Sequence, residues 1–178
     1  VQRYEPHTFP AEISKPATIF VWPYASIDFM QNAVTPPAHV IITEGPLTHG
    51  DLEPDAYPLY VRYDIQAPLA TLNKPLAIFE NGLQLQDGSA SLNRNQELAV
   101  TLTWAAETAA STGLNTSAST ALNTSTSTAL STSPDPNINA FVHISGPDGL
   151  IGQFDAPAAQ GRWSNAWWQP GINVTETR

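Results

Sequence analysis

The tripeptide Pro147-Asp148-Gly149, set between two strand-like runs, constrains this chain more than any other feature. Proline presets φ at about −65°, the aspartate side chain bonds to nearby backbone N–H groups, and glycine takes the positive φ that a tight reversal needs. Upstream, Ala140 to Ser145 is rich in β-branched and aromatic residues; downstream, Leu150 to Asp155 runs back as its partner, so the stretch reads as a β-hairpin. Beyond Pro157 the hairpin leads into Trp163, Trp167 and Trp168, closed by the turn Gln169-Pro170-Gly171.

The same punctuation recurs along the chain. Proline and glycine separate short apolar runs, and that spacing predicts an all-β fold. Strands are expected near Thr18 to Trp22, His39 to Thr43, Leu59 to Ile65, Leu76 to Phe79, Leu83 to Gln86, Leu98 to Trp104, Ala140 to Ser145, Leu150 to Asp155 and Ile172 to Thr175. The alternation of Leu98, Val100, Leu102 and Trp104 predicts one buried face, with Thr101 and Thr103 turned outward. The architecture this predicts is an antiparallel β-sandwich, jelly-roll-like, in which the Leu98 and Ala140 strands are central. Its domain spans Leu59 to Arg178, preceded by an irregular, proline-rich arm with short strands over Val1 to Pro58.

Between the Trp104 and Ala140 strands lies an insertion with a period of eight: GLNTSAST, ALNTSTST and ALSTSPDP, from Gly113 to Pro136. Leu114, Leu122 and Leu130 recur in register, but three Ser/Thr-rich units bury too little apolar surface to offset chain entropy. A surface loop outside the core is expected, the alternative being an ordered ribbon of small residues against a partner. Asn115, Asn123 and Asn173 each stand in an Asn-X-Ser/Thr sequon and are glycosylation candidates. The clustered hydroxyls fit an O-glycosylated, extracytoplasmic segment.

Composition removes several function classes. The absence of cysteine excludes disulfides, thiolate metal sites and a cysteine nucleophile. A net charge of −9, with seven scattered basic residues, gives no footprint for nucleic acid. The longest apolar run, Ala17 to Trp22, is far short of the roughly 20 residues of a membrane span. The chain begins at Val1 without a basic-plus-apolar leader, as a processed protein or a fragment would. No nucleophile-elbow, phosphate-loop, dinucleotide or zinc-protease motif occurs, so no catalytic residue is assigned and no cofactor is expected. His143 reads as a packed or hydrogen-bonded strand histidine, the alternative being a ligand or base. His49, Asp51, Glu53 and Asp55 form an oxygen-rich run that either holds a hard cation such as calcium or is a solvated acidic loop. Asp148 and Asp155 bracket the second hairpin strand and offer a second calcium candidate, though turn and strand-end roles explain both.

A binding hypothesis with physical content comes from the aromatic loop. Flat indole faces stack on the C–H faces of pyranose rings, so Trp163, Trp167 and Trp168, with Arg162, Asn165 and Gln169 as hydrogen-bonding neighbours, form a candidate carbohydrate platform. The competing reading is that the indoles close the core or an interface. Trp167 and Trp168 point to opposite sides of an extended chain, so one of them is expected to face outward and mark a contact.

The order FVHI, PDG, QFD, Gly161-Arg162-Trp163 and WWQPG resembles the C-terminal soluble domain of bacterial membrane glycosyltransferases. The group is the dolichyl-phosphate-mannose protein mannosyltransferase-like one of Chloroflexi-type filamentous bacteria. ATLNKPLAIFENGLQLQDG (Ala70 to Gly88) and ELAVTLTW (Glu97 to Trp104) resemble that domain's opening strands. The resemblance implies a non-catalytic, extracytoplasmic accessory or carbohydrate-recognition module whose partner is a glycan or a parent membrane enzyme. The alternative is a structural subunit of a secreted or cell-surface assembly, with other protein subunits as partners.

Overall fold

The computed structural model describes residues 12–13, 16–22, 25–49, 55–69, 74–79, 82–92, 98–106, 139–164 and 167–177, with Ile151 described by its backbone alone. The fold is all-β. Eleven strands are present among the described residues: β1 (Ala17–Val21), β2 (Ala38–Glu44), β3 (Leu47–Thr48), β4 (Tyr57–Pro58), β5 (Val61–Gln66), β6 (Ala77–Ile78), β7 (Leu83–Leu92), β8 (Leu98–Ala106), β9 (Asn139–Gly146), β10 (Gly149–Pro157) and β11 (Ile172–Thr177). A single helical turn, α1 (Met30–Ala33), precedes β2. The octads of Gly113 to Pro136, with Asn115 and Asn123, lie outside the described residues.

Seven strands form one sheet in the order β1-β5-β2-β11-β8-β7-β6. Registers place Val21, Val61, Tyr63, Ile65, Val40, Ile42, Ile172, Val174, Leu102, Trp104 and Leu85 on one face. All are buried, which the strict alternation within each strand accounts for. β1 and β2, within the arm expected to carry short strands, hydrogen-bond to β5 and β11, so the sheet draws on both stretches of the chain. One pair departs from the antiparallel expectation, since β11 runs parallel to β2 from Ile172↔Ala38 to Glu176↔Ile42. Strands so far apart in sequence are free of the antiparallel constraint that a short turn imposes.

The hairpin forms where the tripeptide predicts it. Gly146 pairs with Gly149, which takes φ 113°. The Ala140 strand is not central, however: β9 pairs only with β10, in a separate two-stranded sheet. It lies over the β7–β8 half of the core face instead, where Ala140 and Val142 pack with Phe79, Leu83, Leu85, Val100, Leu102 and Trp104. The expected burial of β8 also needs correction at two positions. Leu98 is 38% exposed because its partner, Leu92, is itself at the exposed end of β7, beyond the hairpin's cover. Thr103 is buried, because its hydroxyl lies 2.8 Å from that of Thr175 on the neighbouring strand.

The other half of the core face is covered by the segment after β10. Ala159, Trp163 and Trp167 pack with Met30, Val34, Tyr63, Val40 and Ile172, and Trp168 touches both halves. That segment begins in a left-handed turn: Ala159, Gln160 and Gly161 have φ of 55°, 53° and 69°. Left-handed backbone costs a non-glycine residue about 1–2 kcal/mol, so Ala159 and Gln160 need external anchors. Both have one. The Ala159 N–H donates to Glu176 Oε1 at 2.9 Å, and Gln160 Nε2 donates to the Thr177 carbonyl at 2.8 Å.

Candidate functional site

Trp163 is 1% exposed and Trp167 5%, and their rings meet edge to face with centroids 5.5 Å apart. Their faces are closed by packing and offer nothing for a sugar to stack on in this conformation. Trp168 is half-buried, and the N–H groups of Trp163 and Trp168 are buried without a hydrogen-bond partner. Arg162 turns toward the sheet, where its Nε and Nη2 lie 2.9 and 2.8 Å from Glu44 Oε1. Its carbonyl accepts from Tyr63 Oη at 3.0 Å. Burial pushes the Tyr63 phenol up to about 12, opposed by the Arg162 charge and reinforced by that of Glu44. Gln169 Nε2 reaches the Gln31 carbonyl at 3.5 Å, and Asn165 lies outside the described residues. The loop expected to be a platform therefore works as a lid on the core, clamped at Glu176, Glu44 and Tyr63.

Exposed aromatic surface lies elsewhere, on the reverse face of the sheet. Alternation along β1 turns Thr18 and Phe20 away from the core, directly opposite Asp64 and Arg62 of β5. Phe20 is 60% exposed and meets Tyr60 edge to face at 5.4 Å. Trp22, two residues on, is 65% exposed, whereas Trp104, Trp163 and Trp167 are buried. Beside the rings, Thr18 Oγ1 donates to Asp64 Oδ1 at 2.7 Å, and Arg62 Nε stands 2.8 Å from Asp64 Oδ2. Stacking surface and a partly exposed guanidinium thus share one strip, ordered by the half-buried Asp64 carboxylate. Sequence reasoning took Thr18 to Trp22 as a strand and missed the site. The available signal was its alternation: Ile19 and Val21 to one side, Phe20 and Trp22 to the other.

Further along this face a polar ladder crosses the sheet. His39 Nε2 lies 2.8 Å from Thr175 Oγ1, which lies 2.8 Å from Thr103 Oγ1, and Thr101 and Thr177 hydroxyls are 3.1 Å apart. Thr175 is also the hydroxyl residue of the Asn173 sequon, so in the folded sheet that hydroxyl is engaged twice, and attachment of a glycan at Asn173 is expected only before folding. Desolvation holds His39 below its ordinary value of 6.5. As pH falls through about 6.5 the unfolded chain takes up the proton first, so stability present above that pH declines toward the folded-state value. Urea unfolding at pH 7.5 and 5.5 is expected to show this decline, and His39→Gln to reduce it; an unchanged difference would remove His39 from the account.

The metal candidates fall only partly within the described residues. Asp155 lies 3.5 Å from His143 Nε2, forming a pair on the outer face of the hairpin. His49 and Asp55 are exposed, and Asp51 and Glu53 lie outside the described residues. Among the described residues no three of His, Asp and Glu are grouped for a metal ion. Among them, too, no helix is long and apolar enough to cross a membrane. Comparison with protein-family models, curated proteins and solved structures returns no match for this chain.

Proposed function

We propose that this chain is a non-catalytic, extracytoplasmic recognition module for carbohydrate, with its ligand lying on the Phe20, Trp22 and Tyr60 end of the open sheet face. The observation that carries the reading is the placement of exposed aromatic rings beside the Thr18–Asp64–Arg62 network. Apolar rings take the C–H faces of a pyranose, while the guanidinium, ordered by the carboxylate, donates to its hydroxyls. Accessory attachment to a membrane glycosyltransferase remains the setting that the resemblance implies. The packing of β9–β10 over the core face fits a jelly-roll-like sandwich with a small second sheet.

Affinity in the millimolar range, about −4 kcal/mol, suffices for a module held near its substrate by a tether. Titration with a panel of neutral oligosaccharides is expected to quench or shift the fluorescence of Trp22. Calorimetric titration of Trp22→Ala is expected to show no binding response, with the thermal midpoint unchanged. Persistence of the response in that variant, or no response to any member of the panel, would overturn the assignment of the face.

A further inference from the structure

We propose that two copies of this chain pair through the outer edge of β1, antiparallel about a two-fold axis at Ile19, joining their sheets into one. β1 is the last strand of the sheet and pairs on its inner side with β5; no described strand occupies its outer side. The opposite edge differs in kind. There the terminal strand, β6, has two residues, Ala77–Ile78, and a very short strand is one of the ways a sheet blunts an edge. β1 has five, Ala-Thr-Ile-Phe-Val, with no charge, proline, glycine or bulge to discourage a further strand.

The self-complementary register of β1 selects a second copy as the occupant, and the neutrality of the strand limits the charge penalty. At a net charge of −9 two copies repel, so a self-contact must run through an uncharged segment, and Ala17 to Trp22 is one. With Ile19 opposite its own symmetry mate, Ala17 faces Val21 of the other copy and Thr18 faces Phe20. Core-side residues then meet core-side residues, and open-face residues meet open-face residues. Ala17 and Ile19, on the core face yet only half-buried, gain the cover that a terminal strand cannot give them. Threonine opposite phenylalanine is a compatible cross-strand pair. On the carbohydrate reading, on which this consequence alone rests, the two aromatic patches share one face. Their Trp22 residues stand roughly 20 Å apart, six residues at about 3.3 Å each. A glycan chain spanning both gains from effective concentration.

Sedimentation equilibrium over a concentration series, without any glycan, tests the pairing. A monomer–dimer equilibrium is expected, shifted toward dimer by added salt as the like charges are screened. Phe20→Lys, which puts a charge on the edge, is expected to weaken dimerisation at least tenfold with the thermal midpoint retained. Hydrogen exchange of wild-type β1 amides, read at low and high protein concentration, gives a second measurement independent of the variant: protection is expected to rise with concentration. A monomer at every concentration and salt, or a dimer whose β1 amides exchange at an unchanged rate, would overturn the proposal. Neither result bears on whether a single copy binds sugar.

Discussion

Glu176→Ala is expected to lower the unfolding free energy by about 2–6 kcal/mol, the sum of two buried donors left without an acceptor at roughly 1–3 kcal/mol each. Glu176 is 1% exposed, and its Oε1 accepts from Trp104 Nε1 at 2.7 Å and from the Ala159 N–H at 2.9 Å. One oxygen thereby joins the centre of the sheet to the left-handed turn that starts the lid. Without it, Ala159 keeps its unfavourable backbone and loses the bond that holds it there. Glu176→Gln retains an oxygen at the same place and is expected to cost less, through loss of the charge-assisted part of the two bonds. Urea unfolding followed by tryptophan fluorescence measures both variants. A loss below about 1 kcal/mol for alanine would mean that the lid is held by its indoles alone.

Glu176 also shows what local pattern does and does not disclose. Ile172, Val174 and Glu176 stand at alternate positions, so period 2 already put the glutamate on the core side. A charged residue at the end of a strand nonetheless reads as solvated, because its two donors come from β8 and from the turn after β10. The strands themselves were legible: β1, β2, β5 and β8 to β11 stand where β-branched runs and turn residues predicted them. Their arrangement was not. The parallel pairing of β2 with β11 and the displacement of β9 from the main sheet depend on contacts between segments far apart in sequence, which no local period encodes. The left-handed turn had one local sign, Gly161, while Ala159 and Gln160 adopt a backbone that their own preferences oppose. The tryptophans were legible as a cluster. Their direction depended on Met30, Val34 and Tyr63, more than a hundred residues upstream for the first two.

Trp163→Ala is expected to cost about 3–5 kcal/mol, the range for removing a fully buried aromatic side chain and leaving a cavity. Trp163 packs within the cluster that joins the lid to β2, β5 and β11, and stands edge to face against Trp167. Its loss removes both the burial and the ring pair, which contributes about 0.5–1.5 kcal/mol beyond area. The contrast with Trp22→Ala separates the two roles that tryptophan plays in this chain. An exposed indole is expected to leave stability within about 0.5 kcal/mol of the parent while binding changes, and a buried one to do the reverse through unfolding. Chemical denaturation of both variants, alongside oligosaccharide titration, reads the two roles in parallel. If Trp163→Ala were to unfold no more easily than the parent and still lose a sugar response, the lid would open in solution and the Arg162 to Gln169 loop would regain its claim as the platform.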